Sequence, residues 1–265
     1  MHGMAIVLQI IPKSGKMKTR GVFRSGTSGL VFLEKNKKEF PDAFQDKSRL
    51  TYYASLFNSI EINSSFYKIP RCATYSKWSE MVPHHFQFTI KLWRGITHSS
   101  NTVSNTGELE RFMSAIHCLN HHKGCLLIQF PAGFTFPSDK LVHTLERVSR
   151  LSAGKDWRIA VEFRNTGWYN MTIIKILEQY NASLVLHDMP NSRLEDADQK
   201  SSFKYFRFHG ELGDYRGSYN NAFLSSKAVV IQSWLDKGID VYAYFNNTIG
   251  RAVENLKTLN EMVAR

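Results

Sequence analysis

The chain has 265 residues, 43% of them hydrophobic, and its 34 lysines and arginines against 23 aspartates and glutamates give a formal charge of +11. This length and apolar content suit one or two folded domains and exclude an intrinsically disordered chain. No apolar run approaches the roughly 20 residues that cross a bilayer, so we expect no membrane partner. The basic balance favours phosphates, nucleic acid or other anions as partners, although an inert basic surface fits it equally well.

The N-terminal residues and the cysteines bear on domain limits and on compartment. We predict that residues 1–19 form an extension outside the core and that residues 20–265 form the folded domain. The apolar stretch near the N-terminus is too short, and lacks the cleavage site, for a signal peptide. The three cysteines, Cys72, Cys118 and Cys125, show no paired spacing, which argues against a disulfide framework and favours the cytoplasm. We interpret Cys125 as a small buried apolar residue.

Eight short apolar runs, each ending in polar residues, are spaced along the chain. They lie at 21–25, 59–63, 86–91, 125–129, 158–164, 183–188, 205–209 and 241–246. Polar side chains collected at strand ends are typical of a (β/α)8 barrel, which builds its site from them. The runs therefore predict eight strands and the place where function is found.

Segments with helical periodicity lie between these strands. Four apolar faces repeat at spacings of three and four residues: 109–119, 141–148, 173–180 and 253–263. Asn181 and Gly238 are expected at helix C-termini, and Ser138 and Thr248 as N-caps. Strands alternating with helices predict an α/β fold, and eight such units favour a single (β/α)8 TIM barrel. An open doubly wound sheet is disfavoured because the turn at 26–29 is not a glycine-rich dinucleotide motif.

Side-chain alternation along each strand predicts which residues face the barrel axis. The inward polar residues at the strand ends are Glu61, Asn63, Lys91, Gln129, Glu162, Arg164, Arg207, His209 and Asn246. On strand six the phase is ambiguous, so either His187 or Asp188 points inward, but not both. This mixed set is either a ligand site with cations for an anion, or a self-satisfied network of ion pairs. We favour the ligand site because every strand contributes at the same end.

Three specific chemistries can be weighed on these residues. Glu61 and Glu162 are candidates for a glycosidase pair, but basic neighbours compete for them. A metal centre is underliganded, so we predict no metal ligands and name no cofactor. Lys91 as a Schiff-base lysine is disfavoured because Glu61 and Glu162 are expected to hold it protonated.

Ordered motifs recur along the chain. The longest is Tyr53-Ala-x-x-Phe-Asn-Ser-Ile-Glu-Ile-Asn-Ser-Ser-Phe-Tyr67, followed by Pro70 and Trp78. The others are Phe88-Thr-Ile-Lys91 with Ile96-Thr-His98, Gln129-Phe-Pro131, Val161-Glu-Phe-Arg164 with Trp168, His187-Asp188, Arg207-Phe-His-Gly210 with Tyr215, and Tyr244-Phe-Asn-Asn247. These motifs resemble the YecE-like family, domain-of-unknown-function family 72, and the resemblance runs from about residue 21 to the C-terminus. It implies a TIM barrel but no established activity.

The resemblance also bears on single positions. Asp188 is the usual acidic position of the family, which favours Asp188 over His187 at the rim. Leu30 stands where the family usually carries a tryptophan, so the contribution of that aromatic ring to the mouth is in question.

Together these observations give the candidate site and three functional hypotheses. We predict Glu61, Glu162, Asp188 and His209 as catalytic acids, bases or proton shuttles. The predicted ligand-binding residues are Asn63, Tyr67, Lys91, His98, Gln129, Arg164, Arg207, Tyr215, Asn246 and Asn247. The first hypothesis is an enzyme whose barrel mouth binds a small anionic or phosphorylated ligand. The alternatives are a nucleic-acid-binding barrel, nuclease-like or not, and a non-catalytic interaction scaffold.

Overall fold

The computed structural model describes residues 19–99, 106–135, 139–154 and 157–265. Eight strands follow one another along the chain in the predicted places. They are β1 (Phe23–Thr27), β2 (Ser59–Ile62), β3 (Gln87–Lys91), β4 (Lys123–Gln129), β5 (Arg158–Glu162), β6 (Ala182–His187), β7 (Phe203–Phe208) and β8 (Asp240–Phe245). Residues 1–18 of the predicted extension lie outside the described range, so that domain boundary stays a prediction.

The strands form one parallel sheet in the order β1-β8-β7-β6-β5-β4-β3-β2, as a TIM barrel requires. The gap between β1 and β2 is closed by a single bridge between Ser28 and Glu61, with the Gly29 amide donating to the Glu61 carbonyl at 2.8 Å. The side chain of Asn58 spans the same gap, since it accepts from the Ser25 amide and donates to the Phe23 carbonyl. The predicted TIM barrel is therefore confirmed.

Helices connect the strands on the outside of the sheet. They are α1 (Arg49–Leu56), α2 (Ser64–Tyr67), α3 (Cys72–Ser79), α4 (Arg94–Thr97), α5 (Thr106–His117), α6 (Asp139–Ser152), α7 (Met171–Gln179), α8 (Asn221–Asp236) and α9 (Ala252–Ala264). The four periodic segments correspond to α5, α6, α7 and α9. Asn181 and Gly238 have positive φ at the helix ends, as predicted. The N-cap prediction for Thr248 was wrong, because 248–251 form a turn and α9 begins after Arg251; Ser138 lies outside the described residues.

The core has an outer and an inner part. The outer part packs the helices against the sheet. The inner part fills the barrel with Cys125, Leu127, Ala160, Val185, Phe203, Tyr205, Tyr242 and Tyr244. Cys125 is buried and free, as predicted. The Tyr244 hydroxyl lies 2.6 Å from Ser59 Oγ and 2.7 Å from Thr89 Oγ1, so the barrel interior is packed and its polar atoms are paired.

The cysteine prediction was wrong for the other two thiols. Cys72 and Cys118 form a disulfide across 46 positions of sequence, with their Cα atoms 5.5 Å apart. Cysteine spacing in the sequence could not predict this disulfide, because it joins the start of α3 to the residue after α5. These two helices are neighbours only in the folded barrel. Among the described residues, no helix is long and apolar enough to span a membrane.

Candidate functional site: a buried charge network at the barrel mouth

Arg207 on β7 lies at the centre of the barrel mouth with 1% of its side chain exposed. Its Nε and Nη2 donate to the two carboxylate oxygens of Glu61 at 2.9 and 2.7 Å. Its Nη1 donates to Glu162 Oε2 at 2.7 Å. One guanidinium therefore holds two carboxylates from β2 and β5, which are separated by about a hundred residues of sequence. A bidentate, charge-assisted pair of this kind fixes both groups geometrically.

Glu61 is fully buried and is saturated with donors. Besides Arg207, it accepts from Ser28 Oγ at 2.5 Å and from the Tyr205 hydroxyl at 2.6 Å. Burial alone raises the pKa of a carboxyl group, but the Arg207 charge and these hydrogen bonds outweigh it and lower the pKa of Glu61 below its ordinary value. Glu61 is therefore an ionised acceptor at neutral pH.

Glu162 is placed between two guanidinium groups. Its Oε1 lies 2.5 Å from Nε of Arg164, which follows β5 and is 12% exposed, in an ion pair without hydrogen-bond alignment. Burial acts to raise the pKa of Glu162, and the charges of Arg164 and Arg207 lower it well below its ordinary value. The carboxylates of Glu61 and Glu162 are thus neutralised by the two arginines.

His209 follows β7 and links the arginines to Asp188. Its Nε2 lies 3.0 Å from Arg164 Nη2 and 3.2 Å from Arg207 Nη1. Because guanidinium nitrogens can only donate, Nε2 is the acceptor and the proton is on Nδ1, which lies 3.2 Å from Asp188 Oδ1. Burial lowers the pKa of His209 to about 4, so the ring is neutral at pH 7. Its lone pair is already occupied by the two arginines.

Both candidates on strand six lie at this site, so the expectation of only one was wrong. Val185 belongs to the inner core, and strand alternation therefore turns His187 inward as well. The His187 Nε2 lies 3.1 Å from the Phe163 carbonyl and burial lowers its pKa, which makes it a neutral donor. Asp188 comes just after the strand end, where alternation no longer applies. It accepts from the His209 amide at 2.8 Å and from the Tyr219 hydroxyl.

Lys91 ends β3 and points into the same mouth. It is 9% exposed, and its Nζ lies 4.1 Å from the centre of the Phe66 ring. Among the described residues, nothing accepts a hydrogen bond from this ammonium or pairs with it within 4 Å. Burial, and then the charge of Arg207, lower the pKa of Lys91 to about 8 despite Glu162 and Glu61. At this value Lys91 is still mostly protonated at pH 7, as expected, but the carboxylates do not prevent the lowered pKa, because they are paired with the two arginines.

The remaining predicted ligand residues on the first half of the barrel lie at the end of β4 or in the segments that follow β2 and β3. Asn63 follows β2 and carries a buried side-chain oxygen with no partner among the described residues. Tyr67 is 69% exposed at the end of α2. His98 follows α4, packs edge-on against Phe66, and has its pKa lowered to about 4 by burial and by Lys91. Gln129 ends β4 and donates to the Phe130 carbonyl.

The predicted ligand residues on the second half of the barrel divide into rim and support. Tyr215 is 39% exposed and its ring centre lies 5.9 Å from that of His209. Asn246 follows β8 and is half-buried. Asn247 is fully buried and donates to the Gly217 carbonyl and to Asn255, so it supports the loop after β7 and does not face the mouth cluster. Leu30 is 41% exposed after the β1–β2 bridge.

Comparison with known proteins agrees with this architecture. A family model described as "Protein of unknown function DUF72" matches residues 24–265. The chain belongs to this family. A curated relative, the UPF0759 protein YunF of Bacillus subtilis (strain 168), is 28% identical over 137 residues, which cover 49% of this chain and 48% of that protein. The match therefore spans about half the length of that curated relative.

Solved structures show the same DUF72 fold. A DUF72 protein of Enterococcus faecalis V583 superposes with a TM-score of 0.74 at 21% identity, covering 92% of this chain and 96% of that one. A DUF72 protein of Thermotoga maritima MSB8 gives 0.68 at 22% identity, covering 92% and 100%. A structure of D-psicose 3-epimerase gives 0.53 at 10% identity, covering 91% and 95%, which shows a shared fold alone.

Three partners of the site carboxylates in this DUF72 chain, and the aromatic ring that lies over Lys91, were not identified from the sequence. Tyr205 has the same strand phase as Arg207 and could have been found by alternation. Ser28 lies after β1, where the predicted strand was set two residues too early. The Tyr219 hydroxyl binds Asp188 and the Phe66 ring covers Lys91, and strand alternation could reveal neither contact because both residues lie outside the strands.

The side-chain types of the charge network bear on whether it could hold a metal ion. Within the described ranges, no group of three or more His, Cys, Asp or Glu side chains is placed to hold a metal ion. The carboxylates instead face guanidinium groups at 2.5–2.9 Å. What the arrangement offers a ligand is one unpaired ammonium, one partly exposed guanidinium and hydrogen-bond acceptors of fixed orientation.

Proposed function

We propose that this DUF72 barrel binds a small anionic ligand at its C-terminal mouth, with phosphorylated compounds as the preferred class. The observation that carries the proposal is the buried, unpaired ammonium of Lys91. An ionised group of this kind costs several kcal/mol to bury, and a bound anion would offset that cost. Arg164 would be the second cation, because its side chain reaches the surface of the mouth.

The pairing of charges at the mouth supports this assignment. Glu61 and Glu162 contact Arg207 and Arg164, while Asp188 accepts hydrogen bonds from His209 and Tyr219. Three ionised carboxylates thus face three cations, but among the described residues Lys91 is the cation of the mouth that no carboxylate contacts. Arg207 is committed to the two glutamates and His209, so its role in this proposal is to position them and not to hold the anion.

This proposal also changes the acid and base roles that the sequence predicted for the carboxylates and His209. Glu61, Glu162 and Asp188 have lowered pKa values, and the lone pair of His209 is held by arginines. Ionised carboxylates of this kind orient hydroxyl groups well but are weak bases. Lys91 is the group of the mouth whose pKa, about 8, lies within a unit or so of neutrality.

Thermal unfolding with sn-glycerol 3-phosphate, and separately with inorganic phosphate, tests anion binding. We expect the wild-type melting temperature to rise with ligand concentration, and we expect Lys91→Met to abolish the rise. Lys204→Met is the matched control, since Lys204 is 7% exposed and lies over a ring, Trp234, but stands at the opposite end of the barrel. A wild type that neither phosphate stabilises, or an unchanged response in Lys91→Met, would contradict the proposal.

Nucleic acid is the second candidate partner. The formal charge of +11 and the exposed ring of Tyr67 beside the mouth favour it. A mouth whose charges are completely paired would favour the scaffold hypothesis, and Lys91 has no such partner among the described residues.

A further inference from the structure

We propose that Lys91 is a nucleophile, and that its amine condenses with the carbonyl group of an anionic aldehyde or ketone to form an imine. The inference rests on the proposed anion site and names its substrate class: a small phosphorylated or carboxylated compound that also carries a free carbonyl. The geometric basis is a primary amine, 9% exposed at the end of β3, that lies 4.1 Å from the centre of the Phe66 ring with no acidic partner within 4 Å among the described residues. A reactive amine of this kind needs a site that disfavours its protonated form.

The groups that face Lys91 come from several strands. Arg207 on β7 and Arg164 after β5 repel a proton from the amine, whereas Glu162 on β5 and Glu61 on β2 attract it. His98, after α4, is neutral above about pH 4 and adds no charge. The attraction from the two glutamates is weakened because each is in direct contact with a guanidinium group. The arginines therefore favour the neutral amine in two ways: they repel a proton from Nζ, and they weaken the attraction of the two glutamates for it.

The Phe66 ring gives the amine a defined orientation. It lies 4.1 Å from Nζ on one side, so a ligand carbonyl must approach from another side. The Lys91 backbone is fixed as well, since its carbonyl accepts from Ser65 Oγ at 2.7 Å. With its pKa at about 8, roughly a tenth of the amine is neutral at pH 7 and half at pH 8.

The step balances without an oxidant or a further reactant. The neutral nitrogen attacks the carbonyl carbon, a C–N bond forms, and the carbonyl electron pair moves to oxygen. The oxygen takes up the proton that the nitrogen loses, which gives a carbinolamine. A second proton, equal to the one that left the ammonium, lets the hydroxyl depart as water while the nitrogen lone pair forms the C=N bond. Ammonium plus carbonyl thus gives protonated imine plus one water, and the positive charge is retained at Nζ.

Trapping with sodium borohydride tests the imine. The probe is dihydroxyacetone phosphate, and sn-glycerol 3-phosphate serves as its carbonyl-free counterpart with the same charged group. After incubation, reduction and proteolysis, we expect one reduced adduct on the peptide that contains Lys91. Lys204→Met should label like the wild type. Lys91→Arg should keep the cation and the thermal stabilisation by sn-glycerol 3-phosphate but lose the label.

The outcomes separate the two proposals. Stabilisation by both phosphates without borohydride labelling of Lys91 overturns the imine and leaves the anion site standing. Labelling spread over surface lysines, unchanged in Lys91→Arg, also overturns it. Absence of both stabilisation and labelling overturns the anion site and the imine together. Labelling at Lys91 that is outcompeted by sn-glycerol 3-phosphate supports both.

Discussion

Lys91 lowers the free energy of unfolding by an amount that depends on pH, which a neutral side chain would not do. Its pKa falls from 10.5 to about 8 on folding, so the unfolded chain holds the proton more tightly. The folded protein therefore loses about 3 kcal/mol of stability below pH 8. This loss decreases as the pH rises from 8 to 10.5. We expect Lys91→Met to be more stable than the wild type at pH 7 and this advantage to shrink from pH 8 upward. Urea unfolding between pH 7 and 10 measures both.

The control for this prediction is Lys175→Met, which removes an exposed lysine on α7. It should change neither the stability at pH 7 nor its pH dependence by more than about 0.5 kcal/mol. If Lys91→Met and Lys175→Met behave alike, the ammonium of Lys91 is not desolvated in the folded protein.

The sequence predicted which individual side chains lie at the mouth, but it did not predict which of them contact one another. Strand alternation correctly turned Glu61, Glu162 and Arg207 inward, because period two is a property of the backbone. It could not show that Arg207 would contact both glutamates, since that depends on how β2, β5 and β7 meet across the barrel. The lowered pKa of Lys91 was not predicted for this reason.

The barrel mouth depends on the contact between the strands β1 and β2. A Cβ on Gly26 would lie 2.0 Å from the Ser59 carbonyl oxygen, a backbone atom that cannot turn aside. We therefore expect Gly26→Ala to force the two strands apart and to cost at least about 1–3 kcal/mol. The urea midpoint reports the loss. Gly107→Ala on α5 is the matched control, since nothing lies within 4 Å of its Cβ, and it should be neutral or stabilising.

The disulfide between Cys72 and Cys118 is a second prediction about elements. Denatured, unreduced protein should show one reactive thiol, from Cys125, and three after reduction. Closing a loop of 46 positions constrains the unfolded chain, so the Cys72→Ser/Cys118→Ser variant should lose about 2–4 kcal/mol against the oxidised protein. Three thiols without reductant would show that the bond does not form.

The elements themselves were largely predictable because each is defined by local periodicity. All eight strands were found, although β1 was set two residues early, since Val22 is apolar but 46% exposed. Helix α8 was not identified, although Leu224, Ala228, Ile231 and Leu235 have helical spacing and are buried. Helix α3 offers one buried residue, Tyr75, and so leaves almost no periodic signal.

At the scale of the whole molecule, eight repeated strand–helix units predicted the closed barrel, because a parallel sheet of that number with helices outside has few alternatives. The charge of +11 fits an anionic partner and an inert basic surface equally well, and it does not give the size of a partner. A small anion in the mouth and a nucleic acid on the surface use different lysines. Lys91 is 9% exposed, whereas Lys37 and Lys38 are exposed in the loop after β1.

This difference makes the nucleic-acid candidate separable from the anion site. If a double-stranded oligonucleotide binds, its affinity should fall at least about tenfold between 50 and 200 mM salt, because counterions are released from each neutralised phosphate. Lys37→Ala/Lys38→Ala should weaken that binding and flatten its salt dependence, while leaving the stabilisation by sn-glycerol 3-phosphate intact. Lys91→Met should abolish the stabilisation by sn-glycerol 3-phosphate and leave oligonucleotide binding unchanged, because an oligonucleotide backbone does not reach a side chain buried over Phe66. Fluorescence anisotropy over a salt series measures the slope, and a chain that binds no oligonucleotide at 50 mM salt leaves its positive charge without a nucleic-acid role.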